Sequence, residues 1–163
     1  MELFAKPAAG GIIIKCESGI DYVLLQERCK DNGGTDNGLI EITAGKIREF
    51  ENIFDCLKRE IREETGLEVI EIIGENEAVT IKSNGYKVIN YMPFACSQNI
   101  QGSYPIMVQT FICKVQGQVI DKTNETKNIR WVSINELKEM LDTNENGFYP
   151  MHVEALKKYI NEW

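Results

Sequence analysis

The sequence is poor in several residues and patterns that would carry common chemistries. Of its 163 residues only one is a histidine, His152. A Ser-His-Asp triad or a Cys-His pair would have to use it, and nothing in its neighbourhood suggests one. We read His152 as a surface or helix-capping residue. The five cysteines (Cys16, Cys29, Cys56, Cys96, Cys113) include no C-x-x-C pair and are odd in number. Zinc and disulfide frameworks are therefore not expected, and a reduced, cytoplasmic setting is. No run approaches the roughly eighteen apolar residues of a membrane-spanning helix. The first residues lack the basic start and long apolar core of a signal peptide. Basic clusters are missing too: 18 Lys and Arg stand against 25 Asp and Glu, a formal net charge of −7. Duplex nucleic acid and anionic membranes are thus poor partners. No G-x-x-x-x-G-K-[ST] loop occurs, so P-loop phosphoryl transfer has no support.

What is present is an ordinary globular composition, and a length that suits one domain over residues 1–163. The most informative stretch is residues 45–67. From residue 52 to residue 65 the spacing is helical: Ile53, Phe54, Leu57 and Ile61 share one apolar stripe. Glu60 and Glu64 are neighbours on that helix, Glu63 lies beside the same patch, and Gly66 supplies a stop. Acids near a helix C-terminus meet the negative end of the macrodipole, and like charges four apart repel. A divalent cation would turn that repulsion into binding. Magnesium, a hard ion that shares its shell between carboxylates, water and phosphates, suits the ligands. Arg59 and Arg62 could also neutralise the acids without a metal.

Written as a pattern, the stretch is G-x5-E-x7-R-E-U-x-E-E-x-G-U, running from Gly45 through Glu51, Arg59, Glu60, Glu63 and Glu64 to Leu67, with U a bulky aliphatic. Every fixed position resembles the Nudix box, and the chain is identified as similar to Nudix hydrolases. The resemblance implies an α/β fold, an α/β/α sandwich with a mixed β-sheet. It implies Mg2+, or Mn2+ in its place, held by Glu60, Glu64 and Glu63 with the Gly45 carbonyl. It implies hydrolysis of a phosphoanhydride in a nucleoside diphosphate linked to another moiety. Arg59 would orient the carboxylates, with Glu51 as its structural partner. The general base stays open among the box glutamates and Glu125, which occupies the loop position that serves this role in several members. The run Ala44-Gly45 with Glu41 resembles the ADP-ribose and nucleotide-sugar branch. Thr43 departs from the usual proline, however, and the first proline beyond the box, Pro93, is distant.

The rest of the chain reads as strands with two closing helices. Residues 9–15 and 21–26 form a hairpin turning at 17–19. Arg28 ends the second strand, where it meets either a substrate phosphate or a carboxylate. We keep Arg28 and Glu41 as candidate substrate contacts. Residues 29–38 form a glycine-rich loop near the box. Short strands follow at 39–42 and 67–73. A hairpin at 79–91 turns at Asn84-Gly85. We expect a loop at 96–104 and a central strand at 106–115. Tyr86, Tyr91, Phe94 and Tyr104 are either core or base-stacking residues. Ser133 and Glu136 make a capping box that opens a helix to about residue 141, and a last helix covers 152–161.

The expected partner is a small nucleotide, with no nucleic acid and no membrane, and the protein a monomer or homodimer. Competing readings are an oxidised nucleoside triphosphate or dinucleoside polyphosphate hydrolase and a non-catalytic nucleotide sensor. The intact box argues against the sensor. A prenyl diphosphate isomerase is disfavoured because its metal site needs more histidine.

Overall fold

The computed structural model describes residues 1–29 and 34–163. Part of the glycine-rich loop, residues 30–33, lies outside the described residues. Ten strands and three α-helices follow in chain order: β1 (Lys6–Glu17), β2 (Ile20–Arg28), β3 (Ile40–Glu41), β4 (Thr43–Lys46), α1 (Ile53–Thr65), β5 (Glu68–Ile72), β6 (Val79–Ser83), β7 (Tyr86–Asn90), β8 (Ala95–Gln98), β9 (Ile106–Gln116), β10 (Thr126–Ser133), α2 (Ile134–Asn144) and α3 (Pro150–Glu162). No helix among them is long and apolar enough to cross a membrane.

The main sheet runs β10-β2-β1-β9-β5, with β3 on β2, β4 on β1 and β8 on β9. β1 and β9 are parallel and the other pairs antiparallel, so the sheet is mixed. Both faces are covered, which is why β1 and β2 read as unbroken apolar runs. Alternate residues go to opposite layers. Ile12, Val23 and Leu25 pack with Leu137 of α2 and Leu156 of α3. Ile13 and Leu24 pack with Phe54, Leu57 and Ile61 of α1 on the other side. The result is the expected arrangement of helices on both faces of a mixed sheet.

One irregularity in this sheet positions the site. β1 pairs with β2 only up to Ile14↔Val23. Beyond that point β1 turns to β4 (Gly10↔Ala44, Ala9↔Gly45), while β2 pairs with β3 (Gln26↔Glu41). The segment 40–46 therefore lines an opening between β1 and β2, directly before α1.

Local chemistry explains the helix ends. The Asn52 side chain accepts the Phe54 amide at 2.9 Å, capping α1, and Gly66 ends it at φ 76° with its N–H donating to the Arg62 carbonyl. Ser133 accepts from the Glu136 amide and opens α2 as expected. α3 starts at Pro150, two residues earlier than the pattern suggested, because proline suits the first helical position.

Two expectations need correction. Residues 96–104 are not all loop: Ala95–Gln98 is an edge strand on β9. Its small and polar side chains carry no apolar alternation, so only pairing reveals it. His152 is not a surface residue. It is 1% exposed, turned inward by α3 against the start of β4, where its Nδ1 accepts the Ile42 amide at 3.3 Å. The hairpin of β6 and β7 forms its own two-stranded sheet around Asn84-Gly85, both with positive φ.

Candidate active site

Four pieces of chain meet at the opening in the sheet: the C-terminal half of α1, β4, the end of β2 and the loop before β10. α1 presents Glu60, Glu63 and Glu64 in different settings. Glu63 is half exposed, whereas Glu60 packs against β4. A Cβ placed on Gly45 would come within 1.9 Å of the Glu60 carboxyl carbon, so only glycine leaves room for that carboxylate. The Gly45 and Lys46 carbonyls are steadied from below by the Cys56 thiol at 3.7 and 3.5 Å.

Arg59 organises the acids on this side. It grips Glu51 through two parallel bonds of 2.7 and 2.9 Å and also reaches Glu60 and Glu63. Bonds from Arg59 hold the Glu51 carboxyl down at about 2. The expected pairing of Arg59 with Glu51 is what the structure shows.

Glu64 is the deepest of the three, at 8% exposure. It accepts from the Gln26 amide at 2.9 Å. Burial raises its pKa to about 8, and the charges of Glu41, Glu60 and Glu125 push in the same direction. Although it stands in the last turn of α1, Glu64 is not a solvated helix-end charge: it borders the apolar stripe, which carries it into the sheet. Gln26, buried in β2, also bonds Thr43 at 3.4 Å and lies 3.5 Å from Glu41. Glu41 is held by Arg28 at 2.6 Å. Glu125 sits where its backbone carbonyl accepts from Cys29 and its amide donates to Thr123.

A cavity of about 330 Å³ joins these groups. Gly45, Arg59, Glu60, Glu63 and Glu125 line one side; Arg28, Tyr104, Tyr149 and His152 line the other, over a floor that includes Ala8 and Val108. Six expected residues thus share one cavity: Arg28, Gly45, Arg59, Glu60, Glu63 and Glu125. Glu41 and Glu64 do not line it; they are buried behind it. Of the four aromatics considered, Tyr104 lines the cavity. Tyr91 packs instead with Phe54 and Phe111, Phe94 lies under Lys158, and Tyr86 is exposed. Sequence reasoning missed Gln26, Tyr149 and His152. The one available signal was Gln26, a polar residue interrupting an apolar strand.

Among the described residues, no three Asp, Glu, His or Cys side chains are gathered closely enough to hold a metal ion as they stand. Arg59 draws Glu60 and Glu63 toward itself instead. The donor set is nevertheless all oxygen: Glu60 against the Gly45 backbone, and Glu64, whose pKa is raised by burial and by three neighbouring carboxylates. That chemistry fits a hard divalent cation.

The NUDIX domain model matches residues 5–152. The chain belongs to the NUDIX family. It is a Nudix hydrolase, of a family that splits nucleoside diphosphate derivatives and generally uses divalent metals. No curated protein matches it in sequence. Solved structures share its fold. A MutT protein from Methanosarcina mazei Go1 is 19% identical with a TM-score of 0.61, covering 99% of this chain and 97% of its own. An Ap4A hydrolase from C. elegans is 16% identical with a TM-score of 0.59, covering 94% of each chain. A MutT NUDIX hydrolase from Burkholderia pseudomallei is 15% identical with a TM-score of 0.57, covering 80% and 84%.

Proposed function

We infer that this Nudix hydrolase cleaves the phosphoanhydride of a nucleoside diphosphate linked to a second group, with nucleotide sugars and ADP-ribose as the favoured substrates. The observation that carries this reading is the shared cavity. It has carboxylates on one side and an aromatic wall on the other, so it offers places for a diphosphate and for a nucleoside. Glu60, Glu64 and Glu63, with the Gly45 carbonyl, would hold Mg2+ or Mn2+. Bound there, the metal would acidify water and offset the charge that develops on the phosphates. Arg59 keeps Glu60 and Glu63 oriented while Glu51 anchors Arg59 from behind. Gln26 fixes the Glu64 carboxylate by donating to it. Glu125 and the box glutamates are the candidate bases for the attacking water, since all of them flank the cavity or the carboxylate cluster. The Ala44-Gly45 run with Glu41 favours the nucleotide-sugar and ADP-ribose branch.

The test is a panel of ADP-ribose, nucleotide sugars, dinucleoside polyphosphates and nucleoside triphosphates incubated with protein and Mg2+, with products separated by chromatography. Cleavage of an ADP-ribose or nucleotide-sugar member at its diphosphate, abolished by EDTA, is expected. Preferential cleavage of triphosphates or dinucleoside polyphosphates would move the protein to another branch. Tight nucleotide binding without any turnover would make it a sensor.

A further inference from the structure

The far wall of the cavity has a property the hydrolytic reading does not use. Among the described residues, two buried side-chain atoms have no hydrogen-bond partner, Arg28 Nε and His152 Nε2. Both residues line the cavity. Both atoms are donors. The Ile42 amide donates to His152 Nδ1, so the hydrogen of the buried, neutral imidazole sits on Nε2. Among the described residues, no buried side-chain acceptor is left over beside them.

Tyr149 holds this pair in place. The Arg28 guanidinium lies over its ring at 4.2 Å from the centroid. The His152 ring meets it edge-on at 5.2 Å. A buried donor without an acceptor is costly, and a ligand that brings an acceptor recovers that cost. The charge of Arg28 is already answered by Glu41, and the imidazole is neutral. The wall therefore suits a neutral acceptor over a phosphate. Ala8, Ile106 and Val108 add the apolar floor that a flat ring needs.

We propose that Arg28, Tyr104, Tyr149 and His152 form a nucleobase subsite that selects 6-oxopurine nucleotides. A 6-oxopurine offers two adjacent acceptors, O6 and N7, to two donors. Adenine places an amino donor at position 6, against a donor. The proposal rests on the hydrolytic reading and narrows its nucleotide-sugar arm, within which guanine and hypoxanthine members bind more tightly than adenine ones.

Calorimetric binding of GMP, IMP, AMP and 7-deaza-GMP to the intact protein, without metal, tests the subsite apart from catalysis. GMP and IMP are expected to bind at least about tenfold more tightly than AMP. Loss of N7 in 7-deaza-GMP should weaken binding. His152→Phe should bring IMP to the level of AMP, and His152→Gln, which keeps a donor, should restore part of the preference. If His152→Phe does not fold, the wild-type comparison of IMP with AMP and of GMP with 7-deaza-GMP decides alone. Equal binding of AMP and IMP, or an undiminished preference in His152→Phe, would overturn the proposal. No monophosphate binding together with hydrolysis of nucleotide sugars would overturn the subsite and leave the hydrolase reading intact. Selective IMP binding without hydrolysis of any panel member would support the subsite while removing the hydrolase reading.

Discussion

Glu64 combines two demands that conflict. Burial at the end of α1 makes its charge unfavourable, while the proposed reaction needs that charge to hold a cation. Glu64→Gln removes the charge and leaves a polar atom for the Gln26 amide to bond. Its Mg2+-dependent turnover is expected to fall at least about a hundredfold, while its melting temperature in EDTA at pH 8 stays level or rises. Near-normal Mg2+-dependent activity in this variant would remove Glu64 from the metal site. Gly45→Ala makes a different test. The new Cβ would overlap the Glu60 carboxyl, the free end of a flexible side chain, so it displaces a carboxylate and leaves the fold intact. Turnover should drop by about two orders of magnitude with little change in melting temperature. A matching loss of stability would show instead that Gly45 serves packing.

At the scale of elements, α1 does most of the positioning, and its ends are held by specific side chains. Asn52→Ala removes the side-chain cap of its first turn. It should cost about 1 kcal/mol in urea denaturation, with kcat reduced far less than in Gly45→Ala. The β6–β7 hairpin is the opposite kind of element. Its residues are almost all exposed, including Val79, Ile81 and Tyr86, and it forms no ladder with the main sheet. Two-stranded ribbons are marginal in water. Amide exchange in β6 and β7 should therefore be much faster than in β1 and β9. Equal protection would mean that a second surface covers the hairpin in solution.

For the whole molecule, two buried groups set the expected pH response without metal. Glu64 titrates at about 8 against 4.5 when unfolded. Its native form binds the extra proton, so its contribution is intact below about 4.5 and is lost as pH rises through about 8. Burial lowers His152 from 6.5 to about 3. Its contribution is present above 6.5 and is lost as pH falls through about 3. The two oppose each other between pH 4.5 and 6.5, and only Glu64 acts from 6.5 to 8. Melting temperature in EDTA should thus fall from pH 6.5 to pH 8. Mg2+ should raise it more at pH 8 than at pH 6, because a cation reverses the penalty on the ionised carboxylate. A Mg2+ effect independent of pH would argue that the ion binds away from Glu64.

The sequence by itself determined the box helix with its Gly66 stop, both hairpins, the α/β class and the Glu51–Arg59 pair. These depend on spacing within one element, or on side chains a few residues apart. It also named six of the residues that share the cavity: a strict motif ties Gly45, Arg59, Glu60 and Glu63 to one strand and one helix, while Arg28 and Glu125 were read from a strand end and a loop. Only the tertiary structure decided how deep each group lies. The packing of α1 sets Glu64 behind the cavity, the parting of β1 from β2 does the same for Glu41, and Gln26 lies between them. The docking of α3 turns His152 inward against Ile42, more than a hundred residues away in sequence. Burial and hydrogen-bond completeness are properties of the assembled layers. No periodicity within a single segment could have shown that two donors at one wall are left without acceptors.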